Sequence, residues 1–577
     1  MRISSRTLNI TLIFIYFIMV SVIIYQLMHR KPFFGFIELS GQSLELREDF
    51  ESADSENQTL IIVITPTYSR LTQLADMTRM ANTLMHVPYL HWIIIEDGIS
   101  KNEEIDNLLA RSKIPYSYFT FKTQPGYPKR GWYQRTVALT LLRNMESNHT
   151  NAVVYFGDDD NSYDIRVFTE YIRNVKKLGM WAVGHAGHAI AESLYVKNGK
   201  VIDFDVVWGE WRKFAVDMAG FAIHLDIVLK TNATFGPSCA GRFPEPCLLE
   251  DMGFTKNDIE PFGFDKPIRG NREVYVWHTQ TVQPSIRSKN KTIIHRILVI
   301  VITSNLSDDD FQLGKCDFTQ KSPKNNSLII VITPTYSRLT QLADMTRMAN
   351  TLMHISDLYW IVIEDGNLKN EKIDNLLRRS KIPHSYLPFK TETGYPKRGW
   401  YQRTMALTLL RNNQFHFINK KNQNAVVYFG DDDNSYDIRV FTEYIRNVKR
   451  LGMWAVGHAG GAIAEKLIVN DGKVTDFDVA WGESREFAVD MAGFAIHLDI
   501  VHRTNATFGP DCGPRTPETC LLEEMHFKRD DIEPFGVEKN VTREIYVWHT
   551  QTIQPFIHVP TNETTTFKRV LNFLRFQ

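Results

Sequence analysis

No G-x-x-x-x-G-K-S/T loop and no G-x-G-x-x-G turn occurs anywhere in the 577 residues. The glycine-rich cradles that hold ATP phosphates or dinucleotides are therefore missing. Neither sign of charge dominates, with 66 Lys and Arg against 66 Asp and Glu. Bulk electrostatics thus gives no reason to expect a nucleic-acid partner. Cysteine is scarce, at five, and no pair has the two-residue spacing of a zinc knuckle. Cys239 and Cys247 are eight apart, and so are Cys512 and Cys520. Each pair suits a small disulfide loop in an oxidising lumen, with metal ligation as the rival reading. Cys316 is left over, either free or bridging two chains.

Charge is also absent from "LNITLIFIYFIMVSVIIYQLM", residues 8–28. A helix of that length spans about 30 Å, the hydrocarbon thickness of a bilayer. It lacks the small-residue cleavage site of a signal peptide, so an uncleaved anchor is expected, after a tail of residues 1–7 and before a stem of residues 29–57. Basic residues flank both ends and leave orientation open. Nine Asn-x-Ser/Thr acceptors follow: Asn57, Asn148, Asn232, Asn290, Asn305, Asn325, Asn505, Asn540 and Asn562. They favour a lumenal body.

What is present, above all, is repetition. Residues 60–86 recur unchanged at 328–354, and residues 151–176 at 424–449. A period this long marks a duplicated domain rather than a solenoid. The expected copies are residues 58–287 and 326–560, with a linker at 288–325 and a tail at 561–577. Within each copy, apolar β-rich runs alternate with stretches of helical spacing, here "LIIVITPTY", "LHWIIIEDG" and "AVVYFGDDD" with helices between and after them. That order predicts an α/β domain with a parallel sheet. In such sheets ligands bind beyond the carboxyl ends of the strands, where "TPTY", "EDG" and "DDD" gather.

Asp158, Asp159 and Asp160 repel one another, and a hard divalent cation removes that conflict. An EF-hand does not fit, because the sixth position from Asp158 is Tyr163 and the twelfth is Thr169. A solvated acidic loop or a helix cap is the plainer alternative. A magnesium-like ion completes its shell with phosphate oxygens, and "YPKRGWYQR" supplies Lys129, Arg130 and Arg135 as fixed cations. A metal with arginines and no glycine-rich cradle points to a nucleotide-sugar diphosphate. Tyr68 and Asp97 could hold its base by stacking and hydrogen bonding.

In this order, "TPTYSR", "EDG", "YPKRGWYQR", "VVYFGDDDNSY", "WGE.R.F.VDMAGFA", "PE.CLL" and "VWHT.T" resemble the animal β1,3-glucuronosyltransferases. The resemblance covers essentially all of each copy. It implies tandem GT-A domains in a type II Golgi membrane protein. It also implies inverting transfer of glucuronic acid from UDP-glucuronate to a terminal galactose, with manganese (magnesium as the other oxygen-ligated ion). Donor contacts would be Pro66, Thr67, Tyr68, Asp97, Arg130, Arg135, Asp158, Asp159, Asp160, His278, Thr279 and Gln280, with Asp160 the metal ligand. Glu245 would be the base, and Glu192, Trp208, Arg212 and Asp217 would shape the acceptor site. In copy two the donor set is Pro334, Thr335, Tyr336, Asp365, Arg398, Arg403, Asp431, Asp432, Asp433, His549, Thr550 and Gln551. There Asp433 takes the metal, Glu518 the proton, and Glu465, Trp481, Arg485 and Asp490 the acceptor.

One departure stands out. Vertebrate members read "WHTRT" where this chain reads "WHTQT", so a donor cation becomes Gln280 and Gln551. Two alternatives follow: another transferase on the same fold, such as a xylosyltransferase, or a non-catalytic bivalent glycan-binding protein. Family members resemble homodimers, so the copies are candidates to pair with each other within one chain.

Overall fold

The computed structural model describes Leu44 and residues 58–128, 130–145, 151–186, 191–207, 209–239, 242–264, 274–284, 327–396, 398–412, 415, 424–459, 463–480, 482, 484–512, 516–538, 541–542 and 544–554. The expected anchor, the linker, both tails, Cys316, Trp208, Trp481, Lys129 and Lys397 lie outside these residues. Among the described residues no helix is long and apolar enough to cross a membrane. Two of the nine glycosylation acceptors, Asn232 and Asn505, are described, and both are exposed.

Copy one begins with β1 (Leu60–Tyr68), α1 (Gln73–Leu84), β2 (Leu90–Asp97), α2 (Glu103–Ser112), β3 (Tyr116–Thr120), α3 (Trp132–Asn144) and β4 (Ala152–Phe156). It continues through β5 (Ser162–Tyr163), β6 (Leu178–Met180), β7 (Val183–Gly184), β8 (Ala191–Lys197), β9 (Lys200–Asp205), β10 (Phe221–His224) and α4 (Leu225–Lys230). It closes with α5 (Pro244–Asp251), β11 (Ile259–Pro261), β12 (Val276–Trp277) and β13 (Gln280–Val282).

The main sheet runs β11-β6-β10-β4-β1-β2-β3. Strands β1, β2, β3 and β4 are parallel, and β1, β2 and β4 are covered on both faces, which is why β1 and β2 read as unbroken apolar runs. The sheet is mixed rather than wholly parallel, because β10 runs antiparallel to both β4 and β6. A second sheet, β5-β12-β7-β8-β9, packs beside it. Copy two repeats both sheets.

Two sequence expectations change here. β3 goes unanticipated, since only its central residue, Tyr118, is fully buried and no alternation marks it. Residues 165–179 do not form one helix. They make a π turn at Val167–Tyr171 and a 3-10 turn at Ile172–Asn174, and then enter β6. The Glu260 carboxylate accepts from the Lys176 and Lys177 amides at 3.0 and 2.5 Å, which ends the helical ladder. The cysteine alternatives resolve to disulfides, Cys239–Cys247 and Cys512–Cys520.

The copies meet reciprocally. β13 pairs antiparallel with Gln551–Ile553 of copy two. Asn82 Nδ2 donates to the Tyr436 carbonyl and Asn350 Nδ2 to the Tyr163 carbonyl, both at 2.9 Å. His86 stacks on His354 with ring centroids 3.8 Å apart.

Candidate active site

The strand order β3-β2-β1-β4 places a topological switch point between β1 and β4, the place where open α/β sheets bind ligands. Thr67 stands there at the end of β1, and the aspartate triplet follows β4. Thr67 Oγ1 donates to Asp159 Oδ2 at 2.7 Å, and Arg70 Nη2 donates to Asp159 Oδ1 at 2.8 Å. Arg70 also pairs with buried Asp76 at 3.0 Å. Arg135 takes Asp158 in a short ion pair, and its other nitrogen donates to the Arg130 carbonyl at 2.9 Å. Gly131 permits that turn: its φ is +71°, and a Cβ there would sit 2.8 Å from Pro66 and 2.9 Å from Arg135.

Asp158 and Asp159 are thereby neutralised, and Asp160 is not. No hydrogen bond or ion pair reaches its carboxylate among the described residues. Burial, with Asp159 and Asp76 nearby, pushes Asp160 up to about 7. Asp433 is pushed to the same value by burial and Asp432. An oxygen-only, uncompensated carboxylate beside two paired ones fits a hard divalent ion such as manganese or magnesium. The Asp160 backbone is fixed from behind, since its carbonyl accepts from Thr279 Oγ1 at 2.6 Å, while the Thr279 amide donates to Asn161 Oδ1 at 3.3 Å. Thr550 and Asn434 do the same for Asp433.

Asp97 ends β2 as expected. Burial would raise its pKa, but the Thr123 amide and hydroxyl, at 2.9 and 2.8 Å, outweigh burial and hold the carboxyl below its usual range. In copy two the Thr391 amide and hydroxyl donate to the Asp365 carboxylate, both at 2.8 Å. Tyr68 and Tyr336 are 56% and 54% exposed beside these acids, with the guanidinium groups of Arg70 and Arg338 each 4.9 Å from the ring centroid. Pro66, Thr67, Pro334 and Thr335 line the same strand ends. Gln280 and Gln551 are exposed, at the starts of the two strands that join the copies.

A second group of charges adjoins this one. Glu245 opens α5 behind Pro244, which suits a first helical turn. Burial, then the Asp217 charge, pushes its carboxyl up to about 7, against Arg212 and Arg135. Glu192 pairs with Arg212 at 3.3 Å, both nearly buried, and burial lifts Glu192 to about 8. His278 Nδ1 lies 2.8 Å from Asp217. Burial opposes its charge, but Asp217 outweighs burial and raises His278 to about 10. Copy two matches, with Glu465–Arg485 at 3.6 Å, His549–Asp490 at 2.7 Å and Glu518 at about 7.

Sequence reasoning did not single out Arg70, Thr123, Asn161 or their copy-two counterparts. Arg70 lies inside the quoted "TPTYSR", and Asn161 directly follows the triplet, so adjacency was the available signal. It also passed over Trp211, 76% exposed and tilted against Phe243 at 5.3 Å. Copy two has Ser484 and Thr516 at those places, so the acceptor sides of the copies differ.

A paired-carboxylate switch point, an uncompensated aspartate and a raised glutamate beside an arginine cluster define a nucleotide-sugar-dependent transferase site. The profile of Glycosyltransferase family 43 matches residues 80–282 and again 348–553. The chain belongs to this family and carries its GT-A-like domain twice. It is 38% identical over 242 residues to galactosylgalactosylxylosylprotein 3-beta-glucuronosyltransferase sqv-8 of Caenorhabditis elegans, covering 40% of this chain and 66% of that protein. It is 32% identical over 306 residues to the S enzyme of that name in Drosophila melanogaster, covering 49% and 72%. It is 35% identical over 252 residues to enzyme 1 of that name in Homo sapiens, covering 41% and 73%. Among solved structures, Staphylococcus aureus TarS 1–349 matches at 13% identity and TM-score 0.28 over 38% of this chain and 60% of that one, too distant to carry an argument.

Proposed function

We propose that the chain transfers glucuronic acid from UDP-glucuronate to the 3-hydroxyl of a terminal galactose on a glycoprotein or proteoglycan glycan, with inversion. The observation that carries this reading is Arg135. It pairs with Asp158 of the triplet, and its charge also reaches Glu245, so the donor and proton-transfer groups share one electrostatic site. The names of the curated relatives supply the sugar and the acceptor.

In this scheme Pro66, Thr67, Tyr68 and Asp97 hold the uridine. Arg130 and Arg135 meet the diphosphate, and Thr279 keeps Asp160 in place. Manganese or magnesium bound at Asp160 and Asp433 would neutralise charge on the departing diphosphate. Glu245 takes the proton of the attacking galactose hydroxyl, and Glu518 does so in copy two. Glu192, Arg212 and Asp217 orient the acceptor. The protonated His278 lies on Asp217, toward the donor. We further propose a lumenal body anchored in the Golgi membrane by residues 8–28. Gln280 and Gln551, where vertebrate members carry arginine, make donor choice the first property to examine. Incubating the chain with UDP-glucuronate, UDP-xylose and a galactose-terminated acceptor, with product analysis by mass and NMR, tests the reading. A β1,3-linked glucuronide supports it, and a xylosylated product replaces it.

The pH profile carries a second expectation. The base must be the carboxylate, and Glu245, faced by Asp217, Glu192, Arg212 and Arg135, is raised to about 7. Below that pH the group is protonated. Turnover per bound acceptor should therefore fall about tenfold per pH unit below 7 and level off above it. A profile flat from pH 5 to 8 would remove Glu245 from this role.

A further inference from the structure

The strongest unused feature is a pair of buried arginines on the first helix of each copy. Arg79 lies on α1 and is 4% exposed, yet its Nη2 crosses to copy two. There it donates to the Asp433 carbonyl and, at 2.5 Å, to Thr550 Oγ1. Arg347 makes the mirror contacts, donating to the Asp160 carbonyl and, at 2.6 Å, to Thr279 Oγ1. These are the same two groups that bond each other and hold the metal-site aspartate in place. Nη2 alone bridges both groups and closes a ring around the main chain of that aspartate, while Nη1 of the same planar fork donates to Thr281 Oγ1 from Arg79 and to Thr552 Oγ1 from Arg347, so the two arms together tie the aspartate to the strand pair between the copies.

Each arginine is also tied back to its own donor site. Arg79 faces Asp76 at 3.7 Å, Asp76 pairs with Arg70, and Arg70 pairs with Asp159. A continuous polar chain thus runs from Asp159 of one site to Asp433 of the other, and its mirror runs from Asp432 to Asp160. Within one copy, the side chains of Asp158 and Asp159 are held by that copy's own arginines, while the backbone of Asp160 is held by the other copy's.

We propose that each donor site is completed in trans: Arg79 is a positioning residue for the copy-two site and Arg347 for the copy-one site, so that the duplicated chain is one catalytic unit. This inference rests on the donor-site reading above and goes beyond it by making one domain's site depend on the other domain. The contact of Arg79 with its own domain's strand is Thr281, at 3.0 Å, two residues past Thr279. That contact limits, without removing, its effect at home.

The test uses the full chain with one site silenced, by Asp160→Ala or by Asp433→Ala, and reads Mn2+-dependent UDP binding by calorimetry beside the melting temperature. Arg79→Lys keeps the charge but loses the fork. In the Asp160→Ala background, where only the copy-two site binds, it should weaken UDP about tenfold, the size of one charged hydrogen bond. In the Asp433→Ala background the change should be at least fivefold smaller, and Arg347→Lys should show the reverse pattern. Equal weakening at both sites, tracking the melting temperature, would mean that the arginines only hold the interface together and would overturn the inference. If the unsubstituted chain binds no UDP with Mn2+, the donor-site reading itself fails. If it binds UDP and Arg79→Lys changes neither site, only the inference in trans fails.

Discussion

Replacing Glu245 and Glu518 together with glutamine lowers turnover by roughly 10²- to 10⁴-fold, the usual contribution of a positioned general base, while UDP binding stays within twofold. The amide preserves the shape of α5 and its Pro244 start but cannot accept a proton. Burial and Asp217 already hold Glu245 near neutrality, where a base is most effective. Single substitutions then assign activity. Glu245→Gln removes the share of copy one and Glu518→Gln that of copy two, and their sum should account for the unsubstituted rate. A double variant that keeps full turnover places the base elsewhere.

Arg70→Met should be the most destabilising single change at the site. Among the described residues Arg70 is the one cation that pairs with both Asp76 and Asp159, and both carboxylates are buried. Breaking a buried pair by removing one partner costs about 3–5 kcal/mol, which for a domain of this size lowers the melting temperature by roughly 10 °C. The sign with pH is definite. Burial already raises the Asp159 carboxyl above its ordinary value, and losing Arg70, which opposes that rise, raises it further. A carboxyl raised in the folded state contributes its stability at low pH and loses it as pH rises through the folded value. The Arg70→Met deficit should therefore shrink on acidification toward pH 5 and widen toward pH 8, measured by thermal melts. A deficit that grows on acidification would contradict the network.

The sequence carried the parallel half of the sheet, because β1, β2 and β4 are buried on both faces and leave continuous apolar runs. It carried the aspartate triplet for the same reason: a buried strand ending in three like charges demands a partner. It did not carry β3, whose single fully buried residue leaves no period to read. Nor did it carry the split of residues 165–179, where a carboxylate 84 residues away stops a good helical pattern. Asp217 and His278 were named through resemblance, but their contact spans 61 residues and no local spacing reveals it. The contacts in trans were the least legible. α1 is buried on nearly every face, polar residues included, and a helix whose polar side chains are also buried implies a polar partner. That signal was present in "DMTRMANT", and the tandem repeat made the other copy a candidate partner, but no local spacing says which polar groups of the other copy these side chains reach.

The most direct measurement is UDP release by the purified chain, given UDP-glucuronate, a galactose-terminated acceptor and Mn2+, with and without chelator. Release that requires the acceptor and stops with chelator is the expected result. A folded chain that releases no UDP from any UDP-sugar would contradict the transferase reading and leave the duplicated domain as a bivalent glycan-binding module.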